Sequence, residues 1–227
     1  MTCAAILIAQ SLTMWRGDRR LFADLDLVVK SGRLLHVRGA NGDGKTTLLR
    51  ILSGLLSAEE GSITLDGKKF PSAHSRTSAA VGYLGHVDGL KHDLGARENL
   101  RFAARIHGAA NDVDIDAIMT RVGLRAQADV YTRHLSAGQR RRLAIARLCS
   151  GRHRLWILDE PFTALDDAGV KLLCELMLNA LKTGIAIVMS SHQQIPIDDK
   201  LVDFLDLGAP APAASQTERS ALTEGIG

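Results

Sequence analysis

Apolar residues along this chain fall into short runs typical of strands and into longer stretches with the spacing of helices. The short runs predict strands at 4–9, 25–29, 34–37, 61–66, 80–84, 155–158, 185–189 and 202–207. The helically spaced stretches predict helices at about 45–54, 96–106, 114–122, 137–149 and 168–182. Alternating strands and helices indicate an α/β fold with a mainly parallel sheet and helices on both of its faces.

The pattern also suggests how the chain is divided. Residues 1–207 are expected to form one domain, in which the more helical and charged stretch at about 89–150 is an inserted helical subdomain. The remainder, 208–227, opens on alternating Ala and Pro and continues with polar residues. Such a composition cannot bury enough apolar surface to order itself, so this tail is predicted to be disordered.

Composition narrows the classes of function. The net charge of +3, from 28 basic and 25 acidic residues, is too small to indicate nucleic-acid binding, and a solvated helix face is the simpler interpretation of Arg140 to Arg142 and Arg147. The 3 cysteines are widely spaced, which disfavours a disulfide framework or a zinc site. No apolar run approaches the roughly 18 residues of a membrane span, so work at a membrane would need another chain.

A glycine-rich segment lies between the predicted strand at 34–37 and the helix that starts near 45. It matches the phosphate-binding loop (P-loop) pattern G-x-x-x-x-G-K-[ST], in which backbone N–H groups and a helix N-terminus face an anion. The pattern predicts that Lys45 contacts the β- and γ-phosphates and that the Thr46 hydroxyl ligates Mg²⁺. The predicted ATP-binding residues here are Gly39, Ala40, Asn41, Gly42, Asp43, Gly44, Lys45, Thr46 and Thr47.

One residue of this loop is unexpected for its role. Asp43 places a carboxylate within an anion-binding segment, where it opposes phosphate binding unless its side chain turns away. Because such loops bind mainly through backbone groups, we expect the side chain of Asp43 to point into solvent.

Two carboxylates follow the apolar strand at 155–158. Asp159 and Glu160 lie at its carboxyl end, where open α/β sheets bind ligands. With the phosphate-binding loop, this arrangement predicts Asp159 as a Mg²⁺ ligand and Glu160 as the general base that activates water. Two solvated acids in a turn are a common alternative for this pair taken alone.

A further segment, Leu135-Ser136-Ala137-Gly138-Gln139, resembles the LSGGQ signature of the ABC ATPase family. Ser136 is a good N-cap and Gly138 leaves the helix start open, so that helix can direct N–H groups at a phosphate. The resemblance implies a P-loop NTPase fold with an antiparallel β subdomain beside the parallel sheet. It also implies that Ser136, Ala137, Gly138 and Gln139 contact the ATP of a partner subunit in a homodimer.

The family resemblance extends over about residues 6–207 and implies three more roles. His192 matches the histidine that contacts the γ-phosphate and holds the water, and Asp166 matches a loop residue at the dimer interface. Trp15 stands where the family carries an aromatic residue that stacks on adenine, although a core position is an alternative for this tryptophan. The catalytic pair implied by the resemblance is Glu160 and His192.

One departure from the family pattern is informative. Where the family has a Gln that ligates Mg²⁺ and senses the membrane subunit, this chain has His86, to which we assign both the Mg²⁺ and the coupling role. His86 could also ligate another metal or haem, but no second ligand stands at a metal-site spacing. The other histidines, at 36, 74, 92, 107, 134 and 153, are expected to be solvated or to cap helices.

Residues around His86, with the signature and acid-pair segments, resemble the ATPase subunits of the cytochrome c maturation system, which is associated with haem export. This resemblance implies ATP and Mg²⁺ as cofactors. The implied partners are a CcmB-like transmembrane permease subunit and further maturation proteins, without nucleic acid, at the cytoplasmic face of the bacterial inner membrane. Two alternatives are an ATPase of another small-molecule exporter and a soluble ABC protein that works on DNA or ribosomes.

Overall fold

Two β-sheets organise the chain in the computed structural model, which describes residues 4–71, 80–109, 113–193, 195 and 197–208. The described strands are β1 (Ala5–Arg16), β2 (Arg19–Lys30), β3 (Leu34–Arg38), β4 (Glu60–Leu65), β5 (Lys68–Phe70), β6 (Val81–Leu84), β7 (Leu155–Asp159), β8 (Ala186–Ser190) and β9 (Val202–Asp206). The described helices are α1 (Lys45–Leu52), α2 (Ala96–Ile106), α3 (Ile115–Arg121), α4 (Ala137–Cys149) and α5 (Asp167–Lys182).

The parallel sheet has the order β6-β7-β8-β3-β9 among the described strands, and each neighbouring pair is parallel. Its register sets Asp159 of β7 and Val37 of β3 on either side of Ser190 of β8. Because parallel strands end at the same edge, the residues that follow β3, β7 and β8 converge there. The predicted α/β class with a mainly parallel sheet is confirmed.

The antiparallel sheet has the order β2-β1-β4-β5 in the described part of the chain. Its hairpin is longer than predicted, since β1 and β2 pair as far as Arg16 opposite Arg19. The pairing register shifts repeatedly, and Ser11 and Asp24 have positive φ angles of 49° and 48°. Such bulges break the period-two alternation on which the prediction depends. The antiparallel subdomain implied by the family resemblance is therefore present.

The two faces of the parallel sheet pack against different partners. Along β7, Leu155 and Ile157 face a core shared with α1 and the antiparallel sheet, whereas Trp156 and Leu158 face a core shared with α4 and α5. All of these strand residues are buried. Helices on both faces explain why the strand is a continuous apolar run without alternation.

The helical region within the predicted insertion forms a core of its own. Its buried residues come from α2, α3 and α4 and from the segments between them: Ala96, Leu100, Met119, Val122, Leu124, Ala128, Leu135, Leu143 and Ala146. Helix α4 also contributes Ala144, Ile145 and Leu148 to the core beside the parallel sheet. The helical region thus contacts the sheet through α4.

Helix bounds agree closely with the pattern, with one informative difference. Helices α2 and α4 have their predicted ends, but α1 ends at Leu52, earlier than predicted. Leu55 therefore lies beyond the helix and is 64% exposed. The predicted tail falls outside the described residues apart from Gly208.

Two histidines that were expected to be solvated or capping lie in the interior instead. His36 is 8% exposed, and its Nε2 lies 3.1 Å from the carbonyl oxygen of Ser191. Burial lowers the pKa of His36. His153 is 6% exposed and packs against the ring of His107, with centroids 4.6 Å apart.

Among the described residues, no helix combines the length and the apolar character that a bilayer span requires.

The contrast between two leucines near α1 gives a test of the packing. Leu49 is fully buried beneath the sheet, whereas Leu55 is exposed. We expect Leu49→Ala to lower the free energy of unfolding by about 2–5 kcal/mol, because it leaves a cavity in the core. Leu55→Ala, the control, should change it by less than about 0.5 kcal/mol. Urea unfolding followed by circular dichroism measures both, and equal effects would contradict the assignment of the core.

Candidate functional site

The predicted phosphate-binding loop connects β3 to α1 at the carboxyl edge of the parallel sheet. Gly42 and Gly44 have φ angles of 90° and 94°, in the left-handed region that favours glycine. Gly44 is the N-cap of α1 and has no side chain over the first turn of the helix. The free N–H groups of that turn and the helix dipole therefore face the loop, as an anion site requires.

Lys45 is the first residue of α1 and lies over the loop. Its side chain is mostly buried, at 8% exposure of the residue, and its Nζ donates to the carbonyl oxygens of Gly39 at 2.8 Å and Ala40 at 3.0 Å. The ammonium group thus lies inside the loop and makes no ion pair with the described residues. This position places a positive charge where the pattern predicts phosphate oxygens.

The expectation for Asp43 was wrong: its side chain folds back onto the loop. Its Oδ2 accepts a hydrogen bond from the N–H of Ala40 at 2.7 Å, and Arg19 lies 3.4 Å from Oδ1. The N–H of Asp43 in turn donates to the carbonyl oxygen of Ala40 at 3.3 Å. The carboxylate therefore closes the loop on itself, and the neighbouring guanidinium offsets its charge.

Asp159 links the loop to two strands of the sheet. Its side chain is buried at the end of β7, with 3% of the residue exposed. Its Oδ1 accepts hydrogen bonds from Oγ1 of Thr46 at 3.1 Å and from Oγ of Ser190 at 2.8 Å. A buried carboxylate needs such donors. The structure brings Thr46 and Asp159 together, as predicted for a shared metal site, and adds Ser190, which the sequence analysis missed.

Glu160 has a backbone conformation that residues with side chains rarely adopt, with φ at 46°. Its N–H donates to Oγ of Ser190 at 3.2 Å. Its Oε1 is buried, accepts no hydrogen bond from the described residues and lies 3.5 Å from Nε2 of His192. An acceptor without a donor is uncommon in a protein interior and suits a group that takes a proton from water.

These elements surround a cleft of about 240 Å³ at the carboxyl edge of the sheet. Its lining residues are Arg16, Leu21, Asn41, Gly42, Gly44, Lys45, Thr46, Thr47, Asp159, Glu160 and His192. The lining unites the predicted loop, acid pair and histidine from three distant parts of the sequence. Arg16 and Leu21 come from the β1–β2 hairpin and were not predicted, because the pairing of that hairpin was not predicted to extend so far.

Several predicted site residues are not part of this lining, among them Trp15, His86 and the loop residues Gly39, Ala40 and Asp43. Trp15 lies on the same hairpin, is 40% exposed and has the guanidinium of Arg20 at 5.8 Å from its ring centroid. This exposure rules out the core position considered for Trp15. His86 is exposed in the turn that follows β6. Among the described residues, no group of three or more His, Cys, Asp or Glu side chains could hold a metal ion.

The signature-like segment begins α4, away from the cleft lining. Ser136 is the N-cap, with its Oγ accepting from the N–H of Gln139 at 3.2 Å, and Oε1 of Gln139 accepts from the N–H of Ser136 at 2.9 Å. This capping box confirms Ser136 as an N-cap. A Cβ added to Gly138 would lie 3.7 Å from the carbonyl oxygen of Ala164, an ordinary contact distance. Ser136 and Ala137 are exposed, so the helix start faces outward.

The carboxylate of Asp166 makes its hydrogen bonds within its own chain. It caps α5 by accepting from the N–H of Gly169 at 2.9 Å, and both of its oxygens accept from Nη2 of Arg142 at 2.7 and 2.9 Å. The Arg142 guanidinium and then the Gly169 N–H hold the pKa of this carboxyl below its usual range.

Arg147, which was interpreted with Arg140 to Arg142 as part of a solvated face, instead donates to the carbonyl oxygens of Asp88 and Gly89. Arg141 departs further from the same interpretation. It is 4% exposed and donates to main-chain carbonyl oxygens of Gly85, Glu160 and Pro161. The helical spacing could have indicated the burial of Arg141. Ile145 and Leu148, four and seven residues later, lie on the same face of the helix and are buried.

A P-loop cleft on a parallel sheet, with an acid pair at the end of β7, defines a nucleotide-binding protein of the P-loop class. A family profile described as "ABC transporter" matches residues 22–163, and the chain belongs to this family, whose domains bind ATP.

Comparison with characterised proteins gives relatives of similar length. The chain is 44% identical over 194 residues to the cytochrome c biogenesis ATP-binding export protein CcmA of Methylococcus capsulatus, covering 85% of this chain and 94% of the relative. It is 43% identical over 205 residues to the protein of the same name from Dechloromonas aromatica, covering 89% of this chain and all of the relative.

Solved structures agree on the fold. The ATP-binding subunit of an ABC transporter superposes with a TM-score of 0.79 at 23% identity, covering 89% of this chain and 85% of that one. A dimeric ATP-binding cassette in a post-hydrolysis state, bound to ADP and Pi, superposes with a TM-score of 0.75 at 19% identity, covering 89% and 97%. At these identities the likeness establishes the fold.

The lowered pKa of Asp166 predicts a pH-dependent contribution to stability. Because the folded-state pKa lies below the ordinary value of 3.8, the stabilisation is complete above that value and is lost as pH falls through the folded-state pKa. We expect Asp166→Asn, which keeps a capping side chain, to be less stable than the parent at pH 7. The difference in unfolding free energy should shrink as the pH is lowered below about 4.

Asp114→Asn is the matched control for this measurement. Asp114 caps α3 through the N–H of Ala117 at 2.9 Å and has no ion pair among the described residues. Urea unfolding of both variants between pH 7 and pH 3 provides the comparison. A difference for Asp166→Asn that stays constant over this range would show that the Arg142 contact contributes nothing.

Proposed function

We propose that this chain is the ATP-hydrolysing subunit of an ABC transporter that serves c-type cytochrome biogenesis by haem export. Membership of the family and the names of relatives at 43–44% identity support this function. The structural observation that carries the hydrolytic role is the buried Oε1 of Glu160, which has no donor and lies beside His192 at the P-loop cleft.

The nucleotide is proposed to bind with its phosphates on residues 39–47. Backbone N–H groups of the loop and the Lys45 ammonium supply the positive field for the phosphate oxygens. Trp15, exposed on the hairpin beside the cleft, is proposed to stack on adenine. A flat aromatic face that is already accessible suits this contact.

Mg²⁺ is proposed to bind between Thr46 and Asp159. Their oxygens lie 3.1 Å apart, and hydroxyl and carboxylate oxygens are the ligands that this ion prefers alongside substrate phosphates. The ion would neutralise charge on the phosphate groups. Asp159 is fixed by Ser190 at 2.8 Å, so one of its oxygens is oriented before any ligand arrives. His86 remains a proposed further ligand and coupling residue, and its exposed position would require the turn after β6 to approach the cleft.

Glu160 is proposed to accept the proton of the attacking water. Its free Oε1 has room for a donor, and His192, 54% exposed at its side chain, is proposed to orient the water and contact the γ-phosphate. The two side chains lie 3.5 Å apart, close enough to share one water molecule.

The cleft of one chain is proposed to be completed by the α4 start of a second copy. Ser136 and Ala137 are exposed and Gly138 and Gln139 partly exposed, so this helix N-terminus can face an anion outside its own chain. One similar solved structure is a dimer bound to ADP and Pi, which supports a homodimer with shared sites. Asp166, close to this helix through Arg142, is proposed to lie at the interface.

The contact with a CcmB-like permease is proposed to lie on α2 and the turn before it. Val87, Phe102 and Ile106 are 80%, 42% and 56% exposed, which is unusual for large apolar side chains. Binding there would hold the chain peripherally at the cytoplasmic face of the inner membrane, together with other maturation proteins and without nucleic acid.

The role of Glu160 has a direct test. We expect Glu160→Gln to lower kcat for ATP hydrolysis by roughly 10²–10⁴-fold, because the amide cannot accept a proton, with ATP affinity retained. Lys45→Ala, by contrast, should lose affinity for the phosphates. Equilibrium binding of a fluorescent ATP analogue and phosphate release measure these effects. Hydrolysis at the parent rate by Glu160→Gln would remove Glu160 as the base.

The membrane partner can be identified by co-purification. The tagged chain, extracted with detergent from membranes of its host, should carry an integral membrane subunit. Phe102→Glu should reduce its recovery, because a charge on the proposed contact opposes burial. Leu55→Glu, also at an exposed leucine but on another element, is the control. Recovery without any membrane protein, or of an unrelated permease, would contradict the proposed transporter.

A further inference from the structure

The guanidinium of Arg141 connects α4 to the turn that carries the proposed base. Its Nη2 donates to the carbonyl oxygen of Glu160 at 2.9 Å, and its Nε donates to that of Pro161 at 3.3 Å. Its Nη1 donates to the carbonyl oxygen of Gly85 at 2.8 Å, and Asp88 lies 3.5 Å away. With 4% of the residue exposed, these partners fix the guanidinium in the interior.

The backbone of Glu160 is held on both sides, whereas its carboxylate is not. Ser190 accepts from the N–H of Glu160, and Arg141 donates to its carbonyl oxygen. The φ angle of 46° stays populated only when neighbouring groups stabilise it. Since Oε1 of Glu160 makes no hydrogen bond to the described residues, the backbone conformation is what sets the direction in which the side chain leaves the main chain.

Arginine suits this position better than lysine. Its planar fork donates in several fixed directions, whereas an ammonium on a flexible stem cannot reach three carbonyl oxygens in the same arrangement. Removing donors would also leave buried carbonyl groups unsatisfied, which strongly favours rearrangement of the turn.

We infer that Arg141 is a positioning residue for hydrolysis: through the main chain of Glu160 and Pro161 it sets where the Glu160 carboxylate stands. This inference rests on the proposed role of Glu160 as the base. Helix α4 then has two roles: its start, which carries the signature-like segment, faces the site of a second copy, and Arg141 supports the site of its own chain.

The first test separates turnover from binding. We expect Arg141→Lys to lower kcat by about 10- to 100-fold, since small misplacements of a reacting group have effects of this size, with KM changed less than about twofold. Arg147→Lys is the matched control on the same helix. Arg147 donates to the carbonyl oxygens of Asp88 at 2.7 Å and Gly89 at 2.8 Å, whereas the bonds to Glu160 and Pro161 come from Arg141. Equal losses of kcat in the two variants would overturn the inference.

The second test asks whether Arg141 acts through Glu160. In the Glu160→Gln background, Arg141→Lys should leave the residual hydrolysis rate unchanged, because the group that it positions is already gone. A further tenfold fall would overturn the inference and indicate a general structural role. Should Glu160→Gln alone turn over ATP normally, the proposed function fails instead.

Folding of the variants is checked independently. Circular dichroism and urea unfolding must show a cooperative folded state before rates are compared. Should Arg141→Lys not purify as folded protein, Arg141→Gln, which keeps one amide donor, is carried through the same two tests with the same expected results. Parent-like kcat in a folded Arg141 variant would likewise overturn the inference.

Discussion

The buried carboxylate of Asp159 is the contact on which the arrangement of the site depends. It accepts hydrogen bonds from Thr46 of α1 and Ser190 of β8, residues 113 and 31 positions away along the chain. A charge so far from solvent is tolerated because these donors satisfy it. The Thr46 bond holds the start of α1 against the end of β7, the strand that precedes the proposed base, and the Ser190 bond ties β7 to β8.

The features that the sequence predicted correctly are those determined by residues within a single helix, strand or loop. The bounds of α4, the N-cap role of Ser136 and the left-handed glycines of the loop follow from local hydrogen bonding and backbone sterics. The buried strand before Asp159 follows from its unbroken apolar run. For the sheet around this strand, the sequence predicted only the mainly parallel class. It did not predict the order of the strands, because packing between distant segments decides which strands pair.

Side-chain environments that depend on contacts between different elements could not be predicted from the sequence pattern. The side chain of Asp43 faces its own loop, where it accepts from the N–H of Ala40, and the tertiary fold brings Arg19 of β2 beside it. The three consecutive arginines look alike in sequence, yet each helical residue turns by about 100°, so they point in different directions. Arg141 turns inward to carbonyl groups, and Arg142 turns to Asp166. Residue type alone cannot distinguish these two environments.

Helix α4 therefore joins several parts of the molecule through one continuous backbone. Its exposed start is fixed by the capping box at Ser136, and its middle holds the main chain of Glu160 through Arg141. Farther along, Arg147 holds the carbonyl groups of Asp88 and Gly89 in the turn after β6. A helix transmits displacement along its axis because its hydrogen bonds resist local bending. A partner copy is proposed to bind at the helix start. A shift of the helix there would therefore displace the Glu160 backbone and the turn that carries His86.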